Sequence, residues 1–285
     1  WSNSTGPYAA TEDLPMIPSE TYDVLITDNN GCTATNSVII TQPLTPLTLS
    51  LETKDVLCNG DASGEADLTI LGGTQPYIIS WSNSSNVEDQ IGLLADVYTA
   101  TVVDNNGCTE SIVATIEEPL LPLSTITDIM DVSCFGFTDG EVDLETSGGT
   151  APYIFSWINS SYSLSVAAED LYGYPADSYI VTITDANDCK LIDTADVLQP
   201  TLIETSVSTV DVLCYGESTG SIDMAVNGGV LPYNFTWSNS EITEDIENLP
   251  IGVYTVSISD ANGCNHTESG EIFQPLEPLS AYYNL

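Results

Sequence analysis

Basic side chains are almost missing from this sequence of 285 residues. Lys54 and Lys190 stand against 42 aspartates and glutamates and one histidine, His266, for a formal charge of −40. A nucleic-acid partner needs a basic footprint on the protein, so that class is excluded, and docking on anionic lipid is disfavoured for the same reason. One histidine cannot supply a Ser-His-Asp centre in each of several units, and no Gly-rich phosphate loop or basic cluster is present. Acidic pairs are abundant, so counting alone does not remove a glycosidase dyad. Units this small offer no cleft, however, and carboxylates at similar positions in each unit read as solvated faces. The chain reads as non-enzymatic, with no catalytic residue and no cofactor. No apolar run reaches the roughly 18 residues of a spanning helix, so membrane insertion of this segment is not expected. The scarcity of Lys and Arg also removes trypsin-type cleavage sites, which suits exposure.

What is present is regular. Hydrophobic residues make up 42 % of the chain and alternate with polar ones, so small cores can form. The organising phrase is Gly252-Val-Tyr-Thr-Val-Ser-Ile-Ser-Asp-Ala-Asn-Gly-Cys264, in which Tyr254, Val256 and Ile258 alternate with Thr255, Ser257 and Ser259. That is a strand with one buried face, running into a tight Asp-x-Asn-Gly turn. The phrase recurs at 21–32, 97–108 and 178–189, so the chain is an array. Trp1, Trp81, Trp157 and Trp237 lie 80, 76 and 80 residues apart, and Cys58, Cys134 and Cys214 repeat the same 76 and 80. Gln42-Pro43, Glu118-Pro119, Gln199-Pro200 and Gln274-Pro275 close each unit. The expected organisation is the second half of a truncated repeat at 1–43, whole repeats at 44–119, 120–200 and 201–275, and the first strand of another at 276–285. Trp1 falls inside a repeat, so the chain reads as a window of something longer, with no signal peptide.

Within 201–275 the pattern predicts strands over 205–212, 221–227 and 233–237, one or two short edge strands in the polar stretch 238–250, then the Tyr254 strand and a last strand over 265–273. About seven short strands with frequent turn signals indicate an all-β fold of tandem immunoglobulin-like antiparallel sandwiches. Trp81, Trp157 and Trp237 take the place of the core Trp. Sugar stacking is their alternative role, but alternation with polar neighbours favours the core. Tyr98, Tyr179 and Tyr254 sit at tyrosine corners. The corner at Tyr179 departs from the others, because 172–179 is longer and has no Gly before the Tyr.

These residues resemble the SprB repeat of secreted surface proteins of the Bacteroidetes. The motifs that carry the likeness are Cys214-x-Gly216-x-x-x-Gly220, Gly228-Gly229-x-x-Pro232-Tyr233-x-x-x-Trp237-Ser238-Asn239 and Gly252-x-Tyr254-x-Val256 to Asp260-x-Asn262-Gly263-Cys264. Cys58 to Cys108 matches nearly as well, and Cys134 to Cys189 matches with Asp188 in place of the turn Gly. The resemblance implies a giant adhesin, secreted by the type IX system and held at the outer membrane, of a family whose namesake serves gliding motility.

Seven cysteines in a chain with no helical period suggest an oxidising compartment and disulfides. Metal ligation is the weaker reading, since there is no C-x-x-C and one histidine. Two pairing schemes stand. One joins cysteines of the same repeat: Cys58–Cys108, Cys134–Cys189 and Cys214–Cys264, with Cys32 left over. In an immunoglobulin-like topology, though, those two loops lie at opposite ends. A strand of eight residues spans about 26 Å, whereas a disulfide needs Cα atoms within about 7 Å. In a head-to-tail array the loop of one repeat faces the turn of the next, which suggests Cys58–Cys189 and Cys134–Cys264. The partners of Cys32, Cys108 and Cys214 then lie outside the window or are missing from it.

The turns at Asp28, Asp104, Asp185 and Asp260 have oxygen chemistry suited to weak Ca²⁺ binding; an Asx-capped hairpin turn is the plainer alternative. Tyr8, Tyr162, Tyr172 and Tyr174, in polar loops, are candidates for surface contact. The expected partners are neighbouring repeats, surface polysaccharides and other copies of the filament. The expected function is a structural or adhesive segment of an extracellular filament for surface attachment or motility. The alternatives are passive spacer repeats with binding elsewhere, or the linker of a polysaccharide-degrading enzyme.

Overall fold

The computed structural model describes residues 1–161 and 166–281. Among them there is no helix, and every paired strand is antiparallel. Two compact units are formed, Trp1–Pro119 and Leu120–Leu285.

In the second unit, the repeat 201–275 has six strands: Glu204–Val210, Gly220–Asn227, Asn234–Trp237, Ile246–Leu249, Gly252–Ser259 and Asn265–Ile272. The first, second and fourth make one three-stranded sheet with the second in the centre. The third, fifth and sixth make the other, with the fifth in the centre. The central strands show why these residues are strands. Ile222 and Met224 on one, and Tyr254, Val256 and Ile258 on the other, are buried at every second position, so each sheet presents one apolar face to its partner. Trp237, Ile246, Leu249 and Ile272 complete the core. Six strands replace the expected seven or so, because the polar stretch 238–250 yields a single edge strand.

The repeat 120–200 is built the same way, from Ser124–Met130, Gly140–Ser147, Ile154–Asn159, Leu171–Tyr174, Asp177–Thr184 and Lys190–Val197, with the same two sheets. Gly220 and Gly140 explain the second glycine of the Cys-x-Gly motif. A Cβ on Gly220 would lie 2.7 Å from Ile272, and one on Gly140 2.6 Å from Val197; the two sheets close against bare backbone there. Past Pro275, residues 276–281 carry no strand. The rest of the expected opening strand, 282–285, lies outside the described residues, as does Tyr162.

In the first unit, 44–119 repeats the plan with strands Thr48–Lys54, Gly64–Leu71, Ile78–Trp81, Gln90–Leu93, Asp96–Val103 and Thr109–Ile116. Residues 1–43 form one four-stranded sheet, including Thr21–Thr27 and Thr33–Ile39. Tyr22 is buried there, but Ile26 is 62 % exposed, whereas the matching Ile258 under its second sheet is 0 % exposed.

Candidate functional site

The repeated tryptophans and the corner tyrosines are structural fixtures. Trp81, Trp157 and Trp237 are buried, and each indole N–H donates into the segment that leads to the edge strand: to Val87 O at 2.9 Å, Ala168 O at 3.0 Å and Thr243 O at 2.9 Å. The hydroxyls of Tyr98, Tyr179 and Tyr254 donate to the carbonyls of Leu94, Pro175 and Pro250, each four residues upstream. The Tyr179 corner thus closes without a preceding Gly, since the bond needs only the upstream carbonyl. Tyr172 and Tyr174 lie in a strand rather than a polar loop. Tyr174 packs on Tyr179 with ring centroids 5.8 Å apart, while Tyr172 is exposed. Tyr8 packs edge-on against Tyr22 at 5.2 Å.

The remaining motif residues converge on the ends of the repeats, and the junction between 120–200 and 201–275 shows what they do. At the lower end of the first of these, the Gln199 side chain accepts the Gly136 N–H of the early-cysteine loop at 2.7 Å. Val132 N–H donates to Leu198 O, and Leu198 N–H to the Asp131 carboxylate. The exit of the repeat is thereby tied to its own early loop. At the upper end of the next repeat, Gly229 N–H donates to Thr201 O at 2.8 Å. Gly228, with φ +82°, lies so close to the linker that a Cβ would sit 1.9 Å from Leu202 O. Ile203 then enters the core region at 6 % exposure. The linker Gln199–Ile203 is therefore held from both sides rather than hinged. Tyr233, whose hydroxyl donates to Gly228 O, braces the Gly-Gly turn from below.

Asp260 fixes the late turn on this platform. One carboxylate oxygen accepts the N–H groups of Asn262 and Cys264 at 2.9 Å each. The other accepts Val230 N–H of the Gly-Gly turn at 2.9 Å. Asp104 does the same with Asn106, Cys108 and Thr74, and Asp185 with Asn187, Cys189 and Thr150. All three are 3 % exposed. Asp28 caps only its own turn, through Asn30 and Cys32, and is exposed. The Asx-turn reading held half of this arrangement. The second oxygen, bonded to a turn 30 residues away in the Asp260 case, is the half that local pattern does not show. Carboxylates so occupied by N–H donors serve as anionic bolts, and among the described residues no three His, Cys, Asp or Glu side chains gather in a metal site.

Replacing Asp260 by Ala leaves three N–H groups without their acceptor. The expected loss is about 3 kcal/mol, read as a lower midpoint in urea unfolding with unchanged slope. An acid limit follows as well. Burial works against ionisation of Asp104, but the N–H donors of Cys108, Thr74 and Asn106 outweigh it and hold its pKa below the ordinary carboxylate value. Glu268 is held low by Ser269 N–H and then by the Thr205 hydroxyl. A carboxylate depressed in the folded state contributes stability that is complete above its unfolded pKa, near 4, and lost as pH falls through the folded value. Thermal melting is expected to be insensitive between pH 7 and 5 and to weaken below about pH 4, even though protonation relieves the charge of −40. Melting temperatures that climb steadily to pH 3 would assign the dominant role to charge relief.

Held in this way, Cys264 meets Cys134 of the preceding repeat. The two form a disulfide with Cα atoms 5.6 Å apart, and the Asn262 amide donates to Ser133 O at 2.9 Å beside it. Phe135, Phe137, Leu202, Ile203 and His266 wall a cleft of about 220 Å³ next to the bond. Cys58 and Cys189 each take part in a disulfide as well, while Cys32, Cys108 and Cys214 are free and exposed. The same-repeat scheme is therefore overturned: Cys264 is bonded to Cys134, and Cys108 and Cys214 carry no bond. The early and late loops of one repeat lie at opposite ends of the strands, too far apart to join.

The SprB repeat pattern matches residues 50–86, 126–161 and 206–241. The chain carries three SprB repeats. Each match runs from the first strand of a repeat through its Trp to the residues just beyond, and so includes the early-cysteine loop and the Gly-Gly turn. SprB repeats are a structural, non-catalytic class found in cell-surface proteins, and the disulfides fit an extracellular setting. Among the curated proteins none matches the chain. Among solved structures, the N-terminal four immunoglobulin domains of Dscam1 isoform 6.9 align at 10 % identity over 96 % of this chain and 86 % of theirs, with a TM-score of 0.28. The Dpr2 Ig1-Ig2 complex with DIP-Theta Ig1-Ig3 aligns at 9 % over 80 % and 99 %, with 0.29. Domains 1-6 of the surface layer protein SbsC align at 14 % over 94 % and 46 %, also with 0.29. Scores of this size carry no weight, and the immunoglobulin-like assignment of the SprB repeats rests on their strand order and tyrosine corners. Among the described residues no helix is long and apolar enough to cross a membrane.

Proposed function

We propose that these SprB repeats are the load-carrying stalk of a secreted bacterial surface filament, of the kind that serves attachment or gliding. The observation that carries this reading is the Cys134–Cys264 bond between consecutive repeats. A bond in that place does little for either sandwich alone. It makes two neighbours share one load, which matters for a fibre under tension. The clamped linker and the acidic, self-repelling surface favour the same extended role. Secretion by the type IX route and retention at the outer membrane belong to the proposal through the resemblance to the family.

A stalk differs from an adhesive array in its exposed surface. An adhesive array would present an aromatic patch at the same place in each repeat. Here Phe135 and Tyr215 are exposed in two early loops, but the matching position in 44–119 is Asn59, and Tyr172 has no exposed aromatic counterpart in the other repeats. The test is binding of the folded full chain to a glycan panel and to glass, with calcium and with a chelator. No saturable binding is expected in either condition. Saturable binding would move adhesion into the repeats themselves, with the cleft beside Phe135 and Phe137 as the first place to mutate.

A further inference from the structure

The lower end of repeat 201–275 is the counterpart of a surface that, one repeat earlier, seats a neighbour. In that earlier place, Ser133 O accepts the Asn262 amide, Cys134 bonds Cys264, and Ile203 carries the linker into the next core. In the later place the same parts are present. Gln274 accepts Gly216 N–H at 3.0 Å, as Gln199 does Gly136 N–H. Val212 N–H donates to Phe273 O, as Val132 N–H does to Leu198 O. The early loop is thus held in the same way, yet Leu213 is 76 % exposed, Tyr215 is 48 % exposed, and Cys214 is free. Leu279 occupies the position of Leu47 and Ile203, which are each 6 % exposed, but is itself 104 % exposed.

We infer that this end is a docking face for another repeat of the same type, closed by a disulfide from Cys214 to the late cysteine of that repeat. The inference rests on the stalk reading above and names its unit: an early cysteine of one repeat joined to the late cysteine of the next. The occupant is specified by the observed junction. It must offer an Asp-bolted turn, an amide two residues before its cysteine to meet Leu213 O, and a Gly-Gly turn to receive the linker. A repeat of this array offers all three. Such an interface is heterologous and does not close on itself, so it extends a fibre rather than making a dimer. Formation of the bond joins the two sulfurs, and the two protons and two electrons pass to glutathione disulfide by exchange, giving two glutathione thiols.

The test extends the full array. A copy of residues 201–275 is placed directly after Pro275, so that Gln274-Pro275 meets Thr201 as Gln199-Pro200 does. The copy carries Cys214→Ser, so that it adds one cysteine, and His266→Gln, so that its late-turn peptide has its own mass. After oxidation with glutathione disulfide, the alkylatable thiols are expected to fall from the present three, Cys32, Cys108 and Cys214, to two. A non-reducing digest should join the Cys214 peptide to the marked late-turn peptide. Four free thiols, or a marked peptide joined elsewhere, would overturn the inference. The Cys134–Cys264 peptide pair in the same digest separates the two failures: its loss would sink the stalk reading, and its presence without the new pair would sink only this inference.

Discussion

Pulled from its ends, the stretch from Leu120 to Pro275 is expected to release about 450 Å more chain after reduction of the Cys134–Cys264 disulfide than before it. Force entering at Leu120 reaches Cys134 in the early loop and crosses to Cys264 through the covalent bond. The intervening chain, a sequence separation of 130, is then out of the line of tension. It includes five strands of one repeat and five of the next. While the bond holds, only the segments outside it can be drawn out, so the sandwiches can lose their packing without the fibre losing its length. Single-molecule stretching of the full chain gripped at Leu120 and Pro275, with and without reductant, reads this difference directly. Equal released lengths would show that the load does not pass through the bond. Reduction is also expected to cost stability, about 5 kcal/mol in the chain-entropy account for a loop of this size.

The second large effect is expected from Gly228→Ala. At φ +82° an alanine already costs about 1 kcal/mol, and its Cβ would stand 1.9 Å from Leu202 O. Backbone on backbone cannot yield without moving the linker, so the Thr201 O bond to Gly229 N–H and the entry of Ile203 should be lost together. A destabilisation of roughly 3 kcal/mol or more is expected. Gly216→Ala is the matched control. Its φ is also +82°, but nothing lies within 4 Å of the added Cβ, so only the conformational cost of about 1 kcal/mol remains. Urea midpoints of the two variants check the pair. Equal losses would mean that the close approach to the linker is not what the glycine provides.

The strands were legible in the sequence because period-2 alternation is local: Tyr254, Val256 and Ile258 declare their buried face within seven residues. The core tryptophans and the tyrosine corners were legible for the same reason, and even the departure at Tyr179 mattered little, since its bond needs only a carbonyl four residues upstream. The junction was legible only in fragments. Gly228 and Gly229 announced a turn, but not that the turn is a seat for the linker. Gln199 marked a boundary, but its bond to Gly136 spans 63 residues. The cap that Asp260 makes on its own turn is legible, but its third bond is not, because Val230 lies in a different turn 30 residues away. The two cysteine schemes stayed open because the choice depends on which ends of neighbouring repeats approach. That is a property of a held linker and not of any one repeat. Tyr174 looks like a loop residue because its strand is only four residues long and it stands between Gly173 and Pro175, and only the packing on Tyr179 gives it an interior place.

The most direct test of the account is the disulfide map of the full chain, digested without reduction and with free thiols blocked beforehand. The expected result contains a peptide pair joining Cys134 to Cys264, with Cys58 and Cys189 recovered in disulfide-linked form and blocked thiols at Cys32, Cys108 and Cys214. Recovery of Cys134 joined to Cys189, or of Cys214 joined to Cys264, would return the bonds to single repeats and leave the stalk without its staple.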